Sequence, residues 1–253
     1  MAFYRKNRFI KIKDVFSKEE IEYFRGVIVN KVKELNTQHL PLEERTTYDK
    51  AFLQVMNIWT KDEQVKDFVF GKKLASIAQQ LMQVKGVRLY HDQALFKEPG
   101  GGFTPWHADQ YYWPLSNDNT ITAWVPLQET PLEMGPLEFS SQSHTLKGGR
   151  DIAISDKSEH VISDKLSSGE FDHVVESFDL GEVSFHAGWL FHRAGPNQTD
   201  QMRAVMTVIY MDSEMRLKSP ENDNQQADWD TWCPGAEIGE VIDSHLNPIL
   251  YES

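Results

Sequence analysis

The sequence predicts a mostly β protein with flanking helices, arranged as an antiparallel sandwich or barrel with the helices packed on one side. Helical periodicity is confined to the N-terminal third of the chain. After Gly86, short runs rich in β-branched and aromatic residues follow one another, separated by Gly, Pro, Asn and Asp. About six or more such strands after a group of helices favour sheets that carry the helices on one side.

Length and composition favour a single domain. The chain has 253 residues, of which 40% are hydrophobic and 25% are charged, as in an ordinary globular protein. All-β folds often reach this length as one unit, so we expect one domain over residues 1–253. Within it we predict a helical part over about 1–84, a barrel core over about 85–212 and a C-terminal extension over 213–253.

Charge and cysteine content narrow the function classes. The formal net charge of -12 disfavours nucleic acid and membrane surfaces as partners, because both are anionic. No apolar window approaches the length of a membrane span. The single cysteine, Cys233, cannot form an internal disulfide, which fits a reducing compartment, and we expect a cytoplasmic protein. Because the chain has one cysteine, any metal must be held by His, Asp or Glu. The sequence does not indicate an oligomeric state.

The N-terminal third contains an apolar-alternating strand and several helices. The strand is predicted between Phe9 and Val15. A helix follows in "FSKEEIEYFRGVIVNKVKEL", where Ser17 and Glu20 form a capping box and apolar residues recur at helical spacing. One or two more helices are predicted between Asp62 and Gln83.

Four stretches are predicted to lie outside the regular core. Residues 146–170 are Ser- and Asp-rich and weakly periodic, which predicts a long insertion between strands that could act as a lid. The acidic runs "EERTTYD" and "ENDNQQADWD" are interpreted as solvated faces. The C-terminal segment "CPGAEIGEVIDSHLNPILYES" receives no chemical role, although it could fold over the barrel.

The stretch "PWHADQYYWPL" suggests half of a metal site. In a strand, His107 and Asp109 would point to the same face, because residues i and i+2 do. Two histidines and one carboxylate on one face of an octahedron are the ligands of non-heme Fe(II) oxygenases. The second histidine is either His186 or His192, and periodicity leaves this choice open unless Gly188 interrupts the strand.

Four motifs extend this picture: "LFKEPGGGFTPWHADQYYWPL", "TAWVPLQE", "MGPLEFSSQSH" and "GEVSFHAGWLFHRAGPNQTDQMRAVMTVIYM". In order and spacing they resemble the phytanoyl-CoA dioxygenase family of Fe(II)/2-oxoglutarate-dependent oxygenases. The resemblance is strong over about residues 95–211 and extends to the helical third only in general style. It implies a double-stranded β-helix, that is, a jelly-roll or cupin-like barrel.

The resemblance also decides between the two histidines. The family's ligand opens an H-x-x-G-P-N turn, which is His192 here, so that His107, Asp109 and His192 are expected to hold Fe(II). Arg203 follows His192 by eleven residues, at the position of the family's 2-oxoglutarate-binding arginine. A guanidinium matches the distal carboxylate of 2-oxoglutarate with two parallel hydrogen bonds.

Further cosubstrate contacts are implied less directly. Lys97 lies at a family position whose lysine can contact 2-oxoglutarate, and Thr122 and Trp124 lie on a strand that flanks the cosubstrate. Some relatives have a hydroxyl-bearing residue two positions after the distal histidine, but this chain has Ala194. Arg203 is therefore expected to carry more of the binding.

The aromatic residues beside the ligand pair have two interpretations. Tyr111, Tyr112 and Trp113 either contact the substrate or pack in the barrel, and Trp106 is expected to be structural. The other histidines are interpreted as hydrogen-bonded structural residues rather than as ligands; they are His91, His144 and His186.

The activity implied is hydroxylation of an aliphatic C–H bond of a small molecule, with 2-oxoglutarate and O2 as cosubstrates and succinate and CO2 as products. Asp109 argues against halogenation, because related halogenating enzymes have a small residue there that leaves room for chloride. A CoA thioester is a less attractive substrate, since no dense basic patch exists beyond the N-terminus.

Two other classes of function remain open. The chain could be a catalytically silent barrel that binds metal and 2-oxoglutarate, or a cupin-type isomerase or hydrolase that uses another divalent ion. Arg203 at its spacing favours the oxygenase over both.

Overall fold

Two antiparallel sheets and seven helices make up the computed structural model, which describes residues 1–253. The helices are α1 (Ala2–Asn7), α2 (Lys18–Leu35), α3 (Thr47–Ala51), α4 (Glu63–Val69), α5 (Lys72–Met82), α6 (Asp156–Ser167) and α7 (Asp223–Trp232). The strands are β1 (Phe9–Ile12), β2 (Leu53–Met56), β3 (Gly86–Phe96), β4 (Thr104–His107), β5 (Thr120–Pro126), β6 (Leu137–Ser140), β7 (His173–Val175), β8 (Val183–Ala187), β9 (His192–Ala194), β10 (Val205–Asp212) and β11 (Ile249–Glu252).

The sheets face each other without closing into a hydrogen-bonded barrel. The larger sheet has the order β1-β8-β5-β10-β3-β11, with β2 also paired to β3, and the smaller has the order β4-β9-β6-β7. Side chains join them: Phe9 of β1 stacks on Phe139 of β6 with ring centroids 4.4 Å apart. The predicted mostly β architecture with flanking helices is confirmed. The closed barrel is replaced by a two-sheet jelly roll, because packing rather than strand pairing connects the sheets.

The largest core cluster lies between the outer face of the large sheet and the N-terminal helices. Ile21 and Ile28 of α2 pack there with Val87 and Leu89 of β3. The predicted capping box of α2 is present: the Glu20 amide donates to Ser17 Oγ over 3.2 Å, and the Ser17 amide donates to a Glu20 carboxylate oxygen over 2.7 Å. This shared core agrees with one domain, which remains a prediction.

The inner face of the large sheet turns toward the small sheet, and a β-bulge in β3 shapes it. The pairing of β3 with β10 shifts register between Ile209 and Tyr210, which leaves Tyr90 as an extra residue on β3. Tyr90 and His91 therefore both point inward, whereas Leu89 and Ala94 belong to the outer core. Simple alternation along the strand would have sent one of the two outward.

The segment predicted as an irregular insertion contains a helix. Ser155 caps α6, where its hydroxyl accepts the Ser158 amide over 3.2 Å. Ile162 and Leu166 of α6 pack with Trp106 of the small sheet. The weak apolar periodicity concealed this helix because few apolar residues face the sheet. A lid function for 146–170 remains a prediction.

The C-terminal extension also has regular structure. β11 pairs with β3 at the edge of the large sheet. The run "ENDNQQADWD" forms most of α7, so its interpretation as a fully solvated face is wrong. No helix combines the length and the apolar composition that a bilayer crossing requires.

Candidate active site

His107, Asp109 and His192 meet between the sheets, as the sequence predicts. His107 ends β4 and is the direct register partner of His192 at the start of β9. Asp109 begins a 3-10 helix of residues Asp109–Tyr112 that follows β4. The predicted reason, that residues 107 and 109 share one face of a strand, is therefore wrong. The chain leaves the strand after His107, and the helical turn swings the carboxylate back toward the two imidazoles.

The donor atoms of these three residues are close enough to share one ion. One ligand atom from each lies within 4.8 Å of the others. Asp109 Oδ1 is 3.6 Å from His107 Nε2 and 3.5 Å from His192 Nε2. Two imidazole nitrogens and one carboxylate oxygen are the donor set of a facial non-heme iron site.

Backbone carbonyls orient both imidazoles. His107 Nδ1 lies 2.7 Å from the Pro105 carbonyl oxygen, and His192 Nδ1 lies 3.0 Å from that of Leu190. A carbonyl accepts only, so each Nδ1 carries the hydrogen and each Nε2 keeps a free lone pair for a metal.

Electrostatics give the three residues the protonation states that a metal needs. Burial lowers the pKa of both His107 and His192 to about 4, so both are neutral at pH 7. Burial raises the pKa of Asp109, but the neighbouring His192 and His186 outweigh it, and the net pKa lies below that of an ordinary aspartate. The set therefore has one negative charge and suits a divalent cation.

Two residues of the large sheet hold the other oxygen of Asp109. The Thr122 hydroxyl donates to Asp109 Oδ2 over 3.0 Å, and His186 Nε2 lies 3.3 Å from the same oxygen. His186 belongs to β8 and His192 to β9 in the other sheet, so the chain is interrupted between them around Gly188. The contact agrees with the prediction that His186 is a hydrogen-bonded neighbour.

Arg203 is a buried cation without a counter-ion. Arg203 is 1% exposed, and its guanidinium forms no ion pair with any carboxylate of the structure. One terminal nitrogen donates to the Gly135 carbonyl, while Nε is buried with no hydrogen-bond partner. Burial lowers its pKa to about 9, which leaves it charged at pH 7. An unpaired buried cation is costly, so this side chain needs an anion.

Trp124 and Lys97 lie on either side of Arg203 with different roles. The guanidinium carbon is 5.6 Å from the centroid of the Trp124 ring, and both residues line the pocket. Lys97 instead donates to the carbonyls of Gly102 (2.6 Å) and Gly195 (2.7 Å) and is absent from the pocket wall. Burial lowers the pKa of Lys97 to about 6. A contact between Lys97 and 2-oxoglutarate remains a prediction, and its amino group, mostly neutral at pH 7, already donates to two backbone oxygens.

A cavity of about 560 Å³ extends from the three ligands between the two sheets. Thr104, Thr122 and Trp124 line it beside Arg203. Thr104 is the register partner of Ala194, and its hydroxyl is buried with no hydrogen-bond partner. The Thr104 hydroxyl group therefore belongs to the residue directly opposite Ala194, the position at which this chain lacks a hydroxyl-bearing side chain.

The three aromatic residues after Asp109 divide between two cavities. Tyr112 and Trp113 line the cavity that contains the ligands, and the Tyr112 hydroxyl accepts the Ile154 amide over 2.8 Å. Tyr111 lines a neighbouring cavity, where its backbone carbonyl accepts from Gln225 over 3.0 Å. A substrate contact remains a prediction for all three, and the geometry favours Tyr112 and Trp113.

Several pocket residues were missed from the sequence. Tyr48 lies in the run "EERTTYD", and the inward face of α7 comes from "ENDNQQADWD". The helix contributes residues at spacings of three, four, seven and eight, which is the only signal that could have found them: Asn224, Ala227, Asp228, Thr231 and Trp232. Because this face contains few apolar residues, the sequence of the run predicts a solvent-exposed segment.

Comparison with known proteins places the chain in a family. The family model described as Phytanoyl-CoA dioxygenase (PhyH) matches residues 4–205, which includes the N-terminal helices. A probable alpha-ketoglutarate-dependent hypophosphite dioxygenase from Stutzerimonas stutzeri is 22% identical over 82% of this chain and 76% of its own length. The phytanoyl-CoA dioxygenase domain-containing protein 1 of Danio rerio is 30% identical over 62% of this chain and 56% of its own length.

Solved structures share the jelly-roll fold. The alpha-ketoglutarate-dependent carbocyclase SnoK from nogalamycin biosynthesis superimposes with a TM-score of 0.79 at 24% identity, covering 98% of this chain and 94% of its own. The epimerase SnoN, solved in complex with Fe3+, alpha ketoglutarate and nogalamycin RO, has a TM-score of 0.80 at 20% identity, covering 99% and 96%. EctD from S. alaskensis has a TM-score of 0.70 at 19% identity, covering 88% and 79%.

Proposed function

We propose that this chain, which belongs to the phytanoyl-CoA dioxygenase family, is an Fe(II)- and 2-oxoglutarate-dependent dioxygenase. It hydroxylates an aliphatic C–H bond of a small organic molecule and releases succinate and CO2. The observation that carries this proposal is the buried Arg203, unpaired on the wall of the same cavity as a two-histidine, one-carboxylate cluster. That combination suits a ligand with a carboxylate at one end and a metal-chelating group at the other.

The residues present fit Fe(II). His107, Asp109 and His192 would hold it through two neutral nitrogens and one anionic oxygen, and three coordination positions would remain for 2-oxoglutarate and O2. Bound there, the iron would supply the activation of O2, coupled to decarboxylation of 2-oxoglutarate. Thr122 and His186 keep Asp109 Oδ2 occupied, so that Oδ1 faces the histidines.

Arg203 would bind the distal carboxylate of 2-oxoglutarate. Arg203 and Thr104 both line the cavity, and the Arg203 Nε and the Thr104 hydroxyl have no hydrogen-bond partner within the protein. Together they would supply the donors that a carboxylate accepts in a space closed to water. Thr104 would thus replace the hydroxyl that Ala194 cannot provide.

Hydroxylation is favoured over halogenation because Asp109 would occupy a coordination position of the iron. The carboxylate is hydrogen-bonded on one side and faces both histidines on the other. Chloride would need that position vacant. Tyr112 and Trp113 would form part of the substrate wall and exclude water from it.

The chemistry of the pocket wall restricts the substrate class. The hypophosphite named for the Stutzerimonas relative is a small anion. Beyond the metal ligands and Arg203, the carboxylate of Asp228 faces the cavity, and aromatic rings cover much of the rest. An anionic substrate would be repelled by the ionised carboxylate of Asp228 and would find no cation, so we infer a neutral or cationic organic molecule instead.

The test is an anaerobic titration with Fe(II) and 2-oxoglutarate, followed by admission of air. We expect a weak visible charge-transfer band that bleaches in air, and its loss together with turnover in Asp109→Ala and His192→Ala. His173→Ala, which removes a half-exposed histidine paired with Glu138, is the matched control and should keep the band.

Each outcome separates this proposal from its rivals. A cupin-type isomerase or hydrolase would show no 2-oxoglutarate band, and a silent barrel would show the band without substrate-stimulated succinate. Iron-independent activity retained in Asp109→Ala would contradict the oxygenase. We also propose one domain and a cytoplasmic location, which the shared core and the single buried cysteine support; nucleic acid is not expected as a partner.

A further inference from the structure

Asp228 is the one charged side chain of the cavity that the proposed reaction does not use. The cavity is lined by the carboxylates of Asp109 and Asp228 and by a single guanidinium, that of Arg203. Burial raises the pKa of Asp228 to about 7, so its carboxylate is about half ionised at pH 7 and mostly ionised at pH 8. If the iron takes Asp109 and 2-oxoglutarate takes Arg203, the charge left for the substrate is that of the ionised Asp228. None of the ion pairs in the structure includes Asp228, so no lysine or arginine of this chain neutralises it.

The surroundings of Asp228 are aromatic. The Tyr90 hydroxyl donates to Asp228 Oδ2 over 3.0 Å, and hydrogen bonding from Tyr90 and Trp232 lowers the pKa of the carboxyl against the larger effect of burial. Trp113 and Trp232 both line the cavity and pack in the cluster that contains Tyr90. The Trp113 ring lies 5.4 Å from the Tyr90 ring, and the Trp232 ring lies 5.4 Å from the His91 ring. Aromatic faces and a carboxylate both attract cations, the former through their quadrupoles.

No positive charge of the protein competes at this wall. Burial lowers the pKa of His91 to about 4, so its imidazole is neutral at pH 7, and its buried Nδ1 has no partner. The chain as a whole has a net charge of -12, which raises the local concentration of cations over anions.

Helix α7 holds Asp228 in place relative to the metal ligands. Gln225 donates to the Tyr111 carbonyl over 3.0 Å, and Asn224 donates to the Tyr111 hydroxyl over 3.2 Å. Tyr111 belongs to the 3-10 helix that begins with Asp109. The bulge in β3 adds the second anchor, since it turns Tyr90 inward to reach the carboxylate. The position of Asp228 is therefore tied to that of the metal site from two directions.

We propose that Asp228 is a specificity-determining residue that binds the protonated amine of a small, ring-containing substrate, with Trp113 and Trp232 beside the ammonium group. This inference rests on the proposed oxygenase function and names the substrate class of the same site. The carboxylate accepts a charge-assisted hydrogen bond from the ammonium, and the aromatic rings cover the remaining face of the cation.

The experiment compares amines with uncharged partners of the same skeleton. Anaerobic protein loaded with Fe(II) and 2-oxoglutarate is titrated by calorimetry at pH 8, where Asp228 is mostly ionised and the amines are protonated. The ligands are tyramine and tyrosol, benzylamine and benzyl alcohol, and cyclohexylmethylamine and cyclohexylmethanol. For at least one pair we expect the amine to bind about tenfold more tightly, the effect of one hydrogen bond to a charged group. Asp228→Asn should reduce that ratio to about one.

Asp230→Asn is the matched control, because Asp230 lies on the exposed side of the same helix and accepts only from Gln226. It should keep the wild-type ratio. Equal affinities within all three wild-type pairs, or an unchanged ratio in Asp228→Asn, would overturn the inference. If Asp228→Asn fails to fold, the wild-type pairs decide alone. The charge-transfer band is recorded before any amine is added, so its absence marks failure of the oxygenase proposal rather than of the amine site.

Discussion

Arg203 shows how a single side chain can reveal a ligand. A buried guanidinium without a carboxylate partner lowers the stability of the empty protein, because desolvation is not offset by an ion pair. Such a cost is retained where binding requires it. The anion that restores the balance is the distal carboxylate of 2-oxoglutarate in our proposal.

Arg203→Met tests whether Arg203 lowers the stability of the empty protein and binds 2-oxoglutarate. Methionine fills much of the same volume without a charge, so we expect the melting temperature of the empty protein to stay equal or rise. The KM for 2-oxoglutarate should rise about 10- to 100-fold, since a charge-assisted contact is worth about 1.5–3 kcal/mol. Direct 2-oxoglutarate binding and thermal melts measure the two effects.

The control for this change is Arg193→Met, which removes an arginine of β9 that is paired with Glu138 and Glu159 on the outside of the site. It should leave the KM for 2-oxoglutarate near the wild-type value. A large stability loss in Arg203→Met, with an unchanged KM, would mean that Arg203 is purely structural.

The resemblance to the family was enough to predict the three ligands and Arg203, but not their surroundings, whereas residue spacing alone left His186 and His192 as alternatives. The resemblance in "HADQ" and "HRAGPN" identified His107, Asp109 and His192, and the structure brings them together. Thr104 lies in the first motif, three residues before His107, and Asp228 lies outside all four motifs, but no feature of the sequence marked either one. Packing alone reveals the unpartnered hydroxyl of Thr104 and the contact of Asp228 with Tyr90.

At the scale of elements, capping residues rather than apolar periodicity define the helices around the site. α2 has both signals and was predicted, whereas α7 depends on Asn222, whose side-chain oxygen accepts the Gln225 amide over 3.0 Å. The inward face of α7 lines the pocket with mostly polar side chains. The helix therefore lacks the apolar stripe that marks an amphipathic helix in a sequence.

Asn222→Ala should therefore loosen α7 selectively. Loss of an N-cap costs about 1 kcal/mol, which corresponds to roughly fivefold faster hydrogen exchange in the first turns of the helix. Ser17→Ala is the reciprocal control: it removes the cap of α2 and should accelerate exchange there but not in α7. Equal effects of both variants on both helices would contradict local capping.

At the scale of the whole molecule, a buried carboxylate links stability to pH. Asp92 points to the outer side of the large sheet, where the amides of Ile58 (3.1 Å) and Trp59 (3.4 Å) donate to it. Burial raises the pKa of Asp92 to about 7 from an ordinary value of 3.8. The folded state therefore holds this proton more tightly than the unfolded state does.

The sign of the effect follows from that difference. The stabilisation by protonated Asp92 is fully present below about pH 4 and is lost as the pH rises to about 7, at about 1.4 kcal/mol per unit of pKa difference. We expect the free energy of unfolding of the metal-free protein to fall less steeply over this range in Asp92→Asn than in the wild type. Denaturant titrations from pH 4.5 to 8 measure this. Asp230→Asn should follow the wild type, and parallel curves for Asp92→Asn and wild type would refute the assignment.

The amino-acid sequence by itself determined the β-rich architecture and the helical N-terminal third and, through the family resemblance of its motifs, the three proposed metal ligands, because periodicity, caps and motifs are local along the chain. The tertiary structure alone decided what surrounds them. The register of β4 against β9 joins His107 to His192, the bulge in β3 turns Tyr90 inward, and α7 brings Asp228 to the pocket. Each of these depends on contacts between residues far apart in sequence, which no local pattern encodes.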